Sequence, residues 1–391
     1  MKNTEIVLVE ILSAFVNSRK PKIATDCSAG ELYELAKAQS VTGIVSYVLR
    51  KNSKNDLLSG DKRLEQAFDK TVSQFIRKEM GAEVLIQKLS NAQIPHIIFK
   101  GLVVRECYPV QELRTYGDID IIIREADREK CHKLMIDMDY EATVMDGGAV
   151  YGYKKAKDFF EIHTTLNSER TKLSQIMSNY WDHTVNRTGY TYEFEKNFHL
   201  SYLISHIEKH VYGTGAGIRM YLDIALFINK YRDEIDLEKV REILQECKTE
   251  KFFDTVLYLC RRLFDTDVTP KENLSEDIYE EFLRVILRGG TFGDKGEGSV
   301  VDEEMRKALK ENGRVNKFTL LMHHIFPPYR EVRRIYPFFN GKPYLLPAAW
   351  CVHLVKGTKR SGLKNIKRVV SADASQAQKE KELLEKIGSK R

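Results

Sequence analysis

Gly117-Asp118-Ile119-Asp120-Ile121-Ile122-Ile123 decides the reading of this chain. A short apolar run with alternating carboxylates at its start reads as a buried strand. Residues i and i+2 of a strand share a face, so Asp118 and Asp120 point the same way. Two carboxylates so placed repel one another, and taking them out of water makes their ionised forms costlier still. A divalent cation removes that cost. Mg2+ (or Mn2+) takes oxygen ligands and commonly binds one or two carboxylates together with substrate phosphates. Paired ions clamp the attacking and leaving oxygens of an in-line displacement.

Upstream, Ile94-Pro95-His96-Ile97-Ile98-Phe99-Lys100-Gly101 reads as a second buried strand running into a turn. A glycine at such a turn lets the backbone approach a phosphate, and the following GLVVREC (101–107) reads as a helix whose first N–H groups face that anion. Lys100 would neutralise a triphosphate oxygen as a point charge, and Arg114 would do so through a bidentate contact. Before this strand, Val72, Phe75, Ile76, Ala82, Leu85, Ile86 and Leu89 recur at helical spacing, which places them on one face.

Downstream, residues 125–140 read as a helix. EATVM (141–145), a Gly147-Gly148 turn, VYGYKK (150–155) and DFFEIHTTL (158–166) read as consecutive antiparallel strands. In the last of these, Glu161 and His163 alternate with Phe160 and Ile162. Glu161 is therefore the candidate third carboxylate, and His163 shares its face, where it orients a carboxylate, touches an acceptor or makes a structural hydrogen bond.

From about residue 196 the periodicity is helical again. His206 and His210, four apart on one helix, have a spacing that binds zinc, but no third ligand accompanies them, and lining or structural histidines are the favoured reading. Arg219 and Asp223 form an i, i+4 pair within the apolar IRMYLDIALF (218–227), so the pair reads as an ordinary helix ion pair or as part of a cleft. Tyr108 and Tyr116 flank the acidic strand, for packing or for stacking on a base. Gly289–Gly298 is glycine-rich but lacks the spacing of a phosphate-binding loop and reads as a connection.

The chain has 391 residues, 42% hydrophobic and 30% charged, an ordinary globular balance with material for two or three domains. The divisions expected are a helical N-terminal region (1–74), an α/β core (75–195), a helical C-terminal domain (196–360) and a basic helical tail (361–391). The formal net charge is +6, while residues 351–391 carry eleven Lys/Arg against four Asp/Glu, +7 in all. The body is therefore close to neutral and is not a general nucleic-acid binder; only the tail is a candidate for weak contact with RNA or another anion. Six scattered cysteines without a C-x-x-C pair read as free thiols of a cytoplasmic protein, and no run suffices for a membrane span.

Taken with these residues, the chain resembles the nucleotidyltransferase superfamily, and more narrowly the bacterial family often called uncharacterised nucleotidyltransferase, or nucleotidyltransferase family five. The resemblance rests on Lys100-Gly101, Tyr108-Pro109, Arg114, Asp118-Ile119-Asp120, Glu161-Ile162-His163, the helical segment with His206, His210, Arg219 and Asp223, and the later FPPY (326–329) and YLLPAAW (344–350). It spans about residues 75–355. It implies an α+β fold, a small mixed sheet flanked by helical N- and C-terminal regions. It also implies transfer of a nucleoside monophosphate from an NTP to an acceptor with release of pyrophosphate. Asp118, Asp120 and Glu161 would hold the metal, and Lys100, Gly101, Arg114, His163, Arg219 and Asp223 would line the substrate. Acceptors compatible with this are a small molecule, a sugar phosphate, an RNA end or a protein side chain. Lys-Gly stands where most of the superfamily has Gly-Ser, and the third carboxylate is Glu rather than Asp. Two other readings of the same motif are a D-x-D glycosyltransferase using a nucleotide-sugar and a non-catalytic nucleotide-binding module.

Overall fold

The computed structural model describes residues 1–24, 26–52, 55–115, 117–145, 150–166, 175–212, 215–290, 322, 325–339, 341–360 and 374–389. Tyr116, the Gly147-Gly148 turn, most of the glycine-rich connection and the first part of the basic tail lie outside the described residues.

The fold is α+β. Its sheet is built from β1 (His96–Ile98), β2 (Ile119–Ile123), β3 (Glu141–Met145), β4 (Val150–Lys155), β5 (Asp158–His163), β6 (Thr184–Thr188) and β7 (Thr191–Phe194). The order across it is β3-β4-β5-β2-β1-β7-β6. Every residue of β1 and β2 is buried, which is what covering both faces of a central strand demands and why their sequences are nearly unbroken isoleucine. β3, β4 and β5 form the expected antiparallel meander. β5 then pairs parallel with β2, and β2 antiparallel with β1.

The sheet extends further than the sequence reading anticipated. β6 and β7 form a hairpin whose turn carries Gly189 at φ +54, a left-handed conformation that glycine adopts without a β-carbon penalty. β7 lies parallel beside β1, so this hairpin completes the far edge. The signal was available, since Gly189 lies between two runs rich in Thr, Val and aromatic residues.

Helices flank the sheet. Among them are α1 (Asn3–Val16), α2 (Ala29–Ala38), α3 (Thr42–Lys51), α4 (Ala67–Asn91), the single turn α5 (Gly101–Val104) and α6 (Arg128–Asp137). Beyond the sheet come α7 (Lys196–Tyr212), α8 (Ile218–Lys230), α9 (Leu237–Glu246), α10 (Glu250–Phe264) and α11 (Glu276–Gly289). They are followed by α12 (Tyr329–Ile335), α13 (Leu346–Arg360) and α14 (Ala374–Lys386). In α4 the expected apolar face is only partly covered. Ala82, Leu85 and Leu89 are buried, whereas Ile76 is 51% exposed, on an outer stripe with Met80 and Val84. Ala67 and Thr71 are buried at the other end of the helix, so the exposed stripe lies along one side of it.

One contiguous apolar cluster joins α1, the sheet and α7 to α11, from Val7 to Ile387. Val332, Phe339 and Ala349 form a small separate cluster. Part of the basic helical tail is built into the core. Leu383, Leu384 and Ile387 are buried in the main cluster, and the Ile387 carbonyl accepts a hydrogen bond from Thr255 at 3.0 Å. Three apolar side chains spaced to one face outweigh the solvation of the surrounding lysines, whose stems reach water anyway. All six cysteines are free, and among the described residues no helix is long and apolar enough to cross a membrane.

Candidate active site

Strand register builds the centre of the site. Asp120 on β2 lies directly opposite Glu161 on β5, and Ile122 opposite His163. The two strands run parallel, so Asp120, Glu161 and His163 project from one face of the sheet. Ligand atoms of these three residues all lie within 4.8 Å of one another, the one such group of three among the described residues. His163 Nε2 donates to Asp120 Oδ1 at 2.9 Å and lies 3.6 Å from Glu161 Oε2. Asp118 precedes β2 and is half-buried beside them. Burial pushes its carboxyl pKa up, and the charges of Asp120 and Glu161 add to the rise.

Lys100 enters from the end of β1. Its Nζ donates to the same Asp120 Oδ1 at 2.7 Å. Burial alone would weaken the ammonium and raise the carboxyl, but the mutual attraction of Lys100 and Asp120 wins, and His163 adds to it. Lys100 is held above its usual range and Asp120 below. Lys100 takes φ +48, ψ −121, a backbone conformation that residues with a β-carbon rarely adopt. Its carbonyl accepts from the N–H groups of Val103 and Val104 in the turn begun by Gly101, and its own N–H donates to His199 Nε2 at 3.3 Å.

Helix α7 forms the wall above. His199, Tyr202, His206 and His210 recur at steps of three and four along one face. Burial lowers the pKa of His199 to about 3, and Lys196 lowers it further, which leaves the imidazole neutral and able to accept from Lys100. Tyr202 stacks on His206, whose Nε2 lies 3.2 Å from that of His210. Burial takes both histidines down, His210 to about 4, with Lys100 nearby adding to the effect. A single hydrogen bond between neutral rings accounts for their spacing. The sequence reading singled out His206 and His210 and missed His199 and Tyr202, although the polar stripe through an otherwise apolar helix was visible.

A second network adjoins the first. Asp223 on α8 accepts from Arg114 through Nε at 3.1 Å and Nη2 at 3.0 Å. It also accepts from the Tyr108 hydroxyl at 2.6 Å and lies 3.5 Å from Arg219 Nη1. Arg219 Nη1 donates to the Thr115 carbonyl at 3.0 Å, which ties α8 to the segment entering β2. All four side chains are buried. Arg114 was expected to grip a phosphate in a bidentate contact; the bidentate contact it makes here is with Asp223. Burial lowers the Arg219 pKa against the pull of Asp223, and Asp118 acts on it electrostatically, so this network borders the carboxylate cluster.

The carboxylates of Asp120 and Glu161, with the His163 ring beside them, are a competent oxygen donor set for a divalent ion. The cluster also carries an electrostatic need for one, since Asp118, Asp120 and Glu161 lie together and Lys100 is hydrogen-bonded to Asp120 alone of the three.

No curated protein and no solved structure matches this chain. A family model described as uncharacterised nucleotidyltransferase matches residues 26–265, starting earlier and ending earlier than the motif resemblance. That match covers more than half of the chain and contains every residue of the site just described; the protein belongs to the uncharacterised nucleotidyltransferase family and is an enzyme of the nucleotidyltransferase type.

Proposed function

We propose that this enzyme transfers a nucleoside monophosphate from an NTP to an acceptor, using a divalent ion, Mg2+ or Mn2+, held at Asp120 and Glu161 with Asp118 beside them. The observation that carries the reading is the register pairing of Asp120 with Glu161, which puts carboxylates from two strands on one face. When bound, the ion would supply charge neutralisation at the phosphates and draw electron density from the α-phosphorus. The chain's own residues do the rest. Asp120 is kept ionised by Lys100 and His163. Glu161 takes the proton of the acceptor group as that group's oxygen bonds to the α-phosphorus, and the bond to the β-phosphate oxygen breaks to release pyrophosphate. The helical wall with His206, His210 and Arg219 excludes water and faces the substrate. The acceptor is a small molecule, a sugar phosphate, an RNA end or a protein side chain.

The test is calorimetric titration of MgATP, MgGTP, MgCTP and MgUTP into the wild type and the Asp118→Ala/Asp120→Ala double variant. Mg2+-dependent binding that the variant loses supports the reading and ranks the bases. Absence of binding of all four to the wild type overturns it.

A further inference from the structure

Lys100 holds an expensive conformation for no obvious local reason. A β-carbon at φ +48, ψ −121 costs about 1–3 kcal/mol, a cost that glycine at the same place would avoid. The turn is nevertheless tightly fixed, by the Val103 and Val104 N–H groups on the Lys100 carbonyl and by His199 on its N–H. The outcome of that fixation is the position of one ammonium group. Nζ lies 2.7 Å from Asp120 Oδ1 and 5.2 Å from the centre of the Phe99 ring, with the Tyr202 hydroxyl and Glu161 close by. The side chain is only 16% exposed. This is a pinned cation in a cage of carboxylate, hydroxyl and aromatic face, unlike a long flexible arm that gropes for phosphate.

In two-ion centres a carboxylate bridges metals about 3.5–4 Å apart, so both of its oxygens are required. Here Asp120 is the central carboxylate, and its Oδ1 already accepts from Lys100 and His163. Asp118, the other candidate for a second ion, is not in the group whose ligand atoms converge. Charge points the same way: Lys100 offsets part of the negative charge of Asp118, Asp120 and Glu161, and Lys78 and Arg219 act on Asp118, so neutralising the cluster does not call for two divalent ions.

We propose that this centre takes one divalent ion, and that the Lys100 ammonium stands in the place of the second. The inference rests on the metal-dependent reading above and deepens it. A fixed ammonium supplies positive charge beside the reacting phosphate without needing to be recruited at each turnover, and the strained turn is what keeps it on Asp120.

The experiment counts ions and does not depend on turnover. The full-length protein is titrated with Mn2+ alone, and bound ions are counted from the free-Mn2+ electron paramagnetic resonance signal, with the bound spectrum inspected for coupling between ion pairs. One uncoupled Mn2+ per chain is expected in the wild type. Lys100→Gln should take up a second ion and show a coupled pair, while Lys100→Arg, which keeps the cation, should remain at one. Circular dichroism confirms that both variants are folded, and the wild-type count stands regardless of how either variant behaves. Two ions in the wild type overturn the inference and leave the metal-dependent reading intact. No bound ion in the wild type overturns both. One ion in the wild type and still one in folded Lys100→Gln removes Lys100 from the role.

Discussion

Arg114 and Asp223 meet in a two-point contact, 3.1 and 3.0 Å, across 109 residues of chain. Both are buried, and Tyr108 and Arg219 converge on the same carboxylate. Removing one partner of such a pair strands a charge away from water, which costs about 3–5 kcal/mol. Asp223→Ala, which leaves two buried guanidiniums facing each other, should lower the unfolding free energy measured by urea titration by an amount in that range. Asp223→Ala with unaltered stability and a raised KM for NTP would instead assign the network to substrate binding.

Asp120 and Glu161 face each other but should respond oppositely to neutralisation in the metal-free protein. Asp120 is the hydrogen-bonded partner of Lys100, so Asp120→Ala leaves a buried ammonium without its counter-charge and should destabilise by about 3 kcal/mol. Glu161 is one of several like charges, and Glu161→Gln relieves repulsion, for a gain of about 1 kcal/mol. Thermal melts of the two variants in chelator would check the opposite signs. Both variants should lose nucleotidyl transfer, Glu161→Gln by about 10²–10⁴-fold if it takes the acceptor proton.

The buried histidines make stability fall in acid. His199 and His210 have folded-state pKa values lowered to about 3 and about 4 by burial, while the unfolded chain protonates near 6.5. Between those limits the unfolded state binds more protons, so stability is full above about pH 6.5 and declines as pH drops towards 4. Each histidine should contribute a loss of about 2 kcal/mol by pH 5. Denaturant unfolding at pH 7 and pH 5 measures the loss, and His210→Asn should flatten the slope. An unchanged slope in that variant would mean that His210 titrates normally.

Gly388 anchors the chain's end. Its φ is +83, and a β-carbon there would come within 2.7 Å of the Phe252 amide nitrogen. Gly388→Ala should therefore loosen the docking of α14 at a cost of about 2 kcal/mol. Limited proteolysis should then release the C-terminal segment, with Mn2+ binding at the distant carboxylates unaffected.

Much of this architecture is written locally. The Asp-Ile-Asp alternation marked a buried strand and the direction of Asp120, because side-chain direction in a strand has period two, although Asp118 falls just before the strand begins. The Lys100-Gly101 turn, the meander from β3 to β5 and the amphipathic helices after residue 196 were legible from the same kind of short-range periodicity. The hairpin of β6 and β7 was also written there and went unread, since its strands are short and largely polar on the outside.

Partner choice was decided by the tertiary structure alone. Local pattern gives the direction of Asp120 but not that Glu161 stands opposite it, since pairing between strands so far apart in sequence depends on register across the whole sheet. Nor does it tell that Lys100 binds Asp120 while Arg114 binds Asp223. A charged side chain in sequence is free to meet phosphate, water or carboxylate, and only burial, which makes an unpaired charge unaffordable, selects among them. For the same reason the sequence marks the end of the chain as basic, whereas the fold buries Leu383, Leu384 and Ile387 from that segment in the common core.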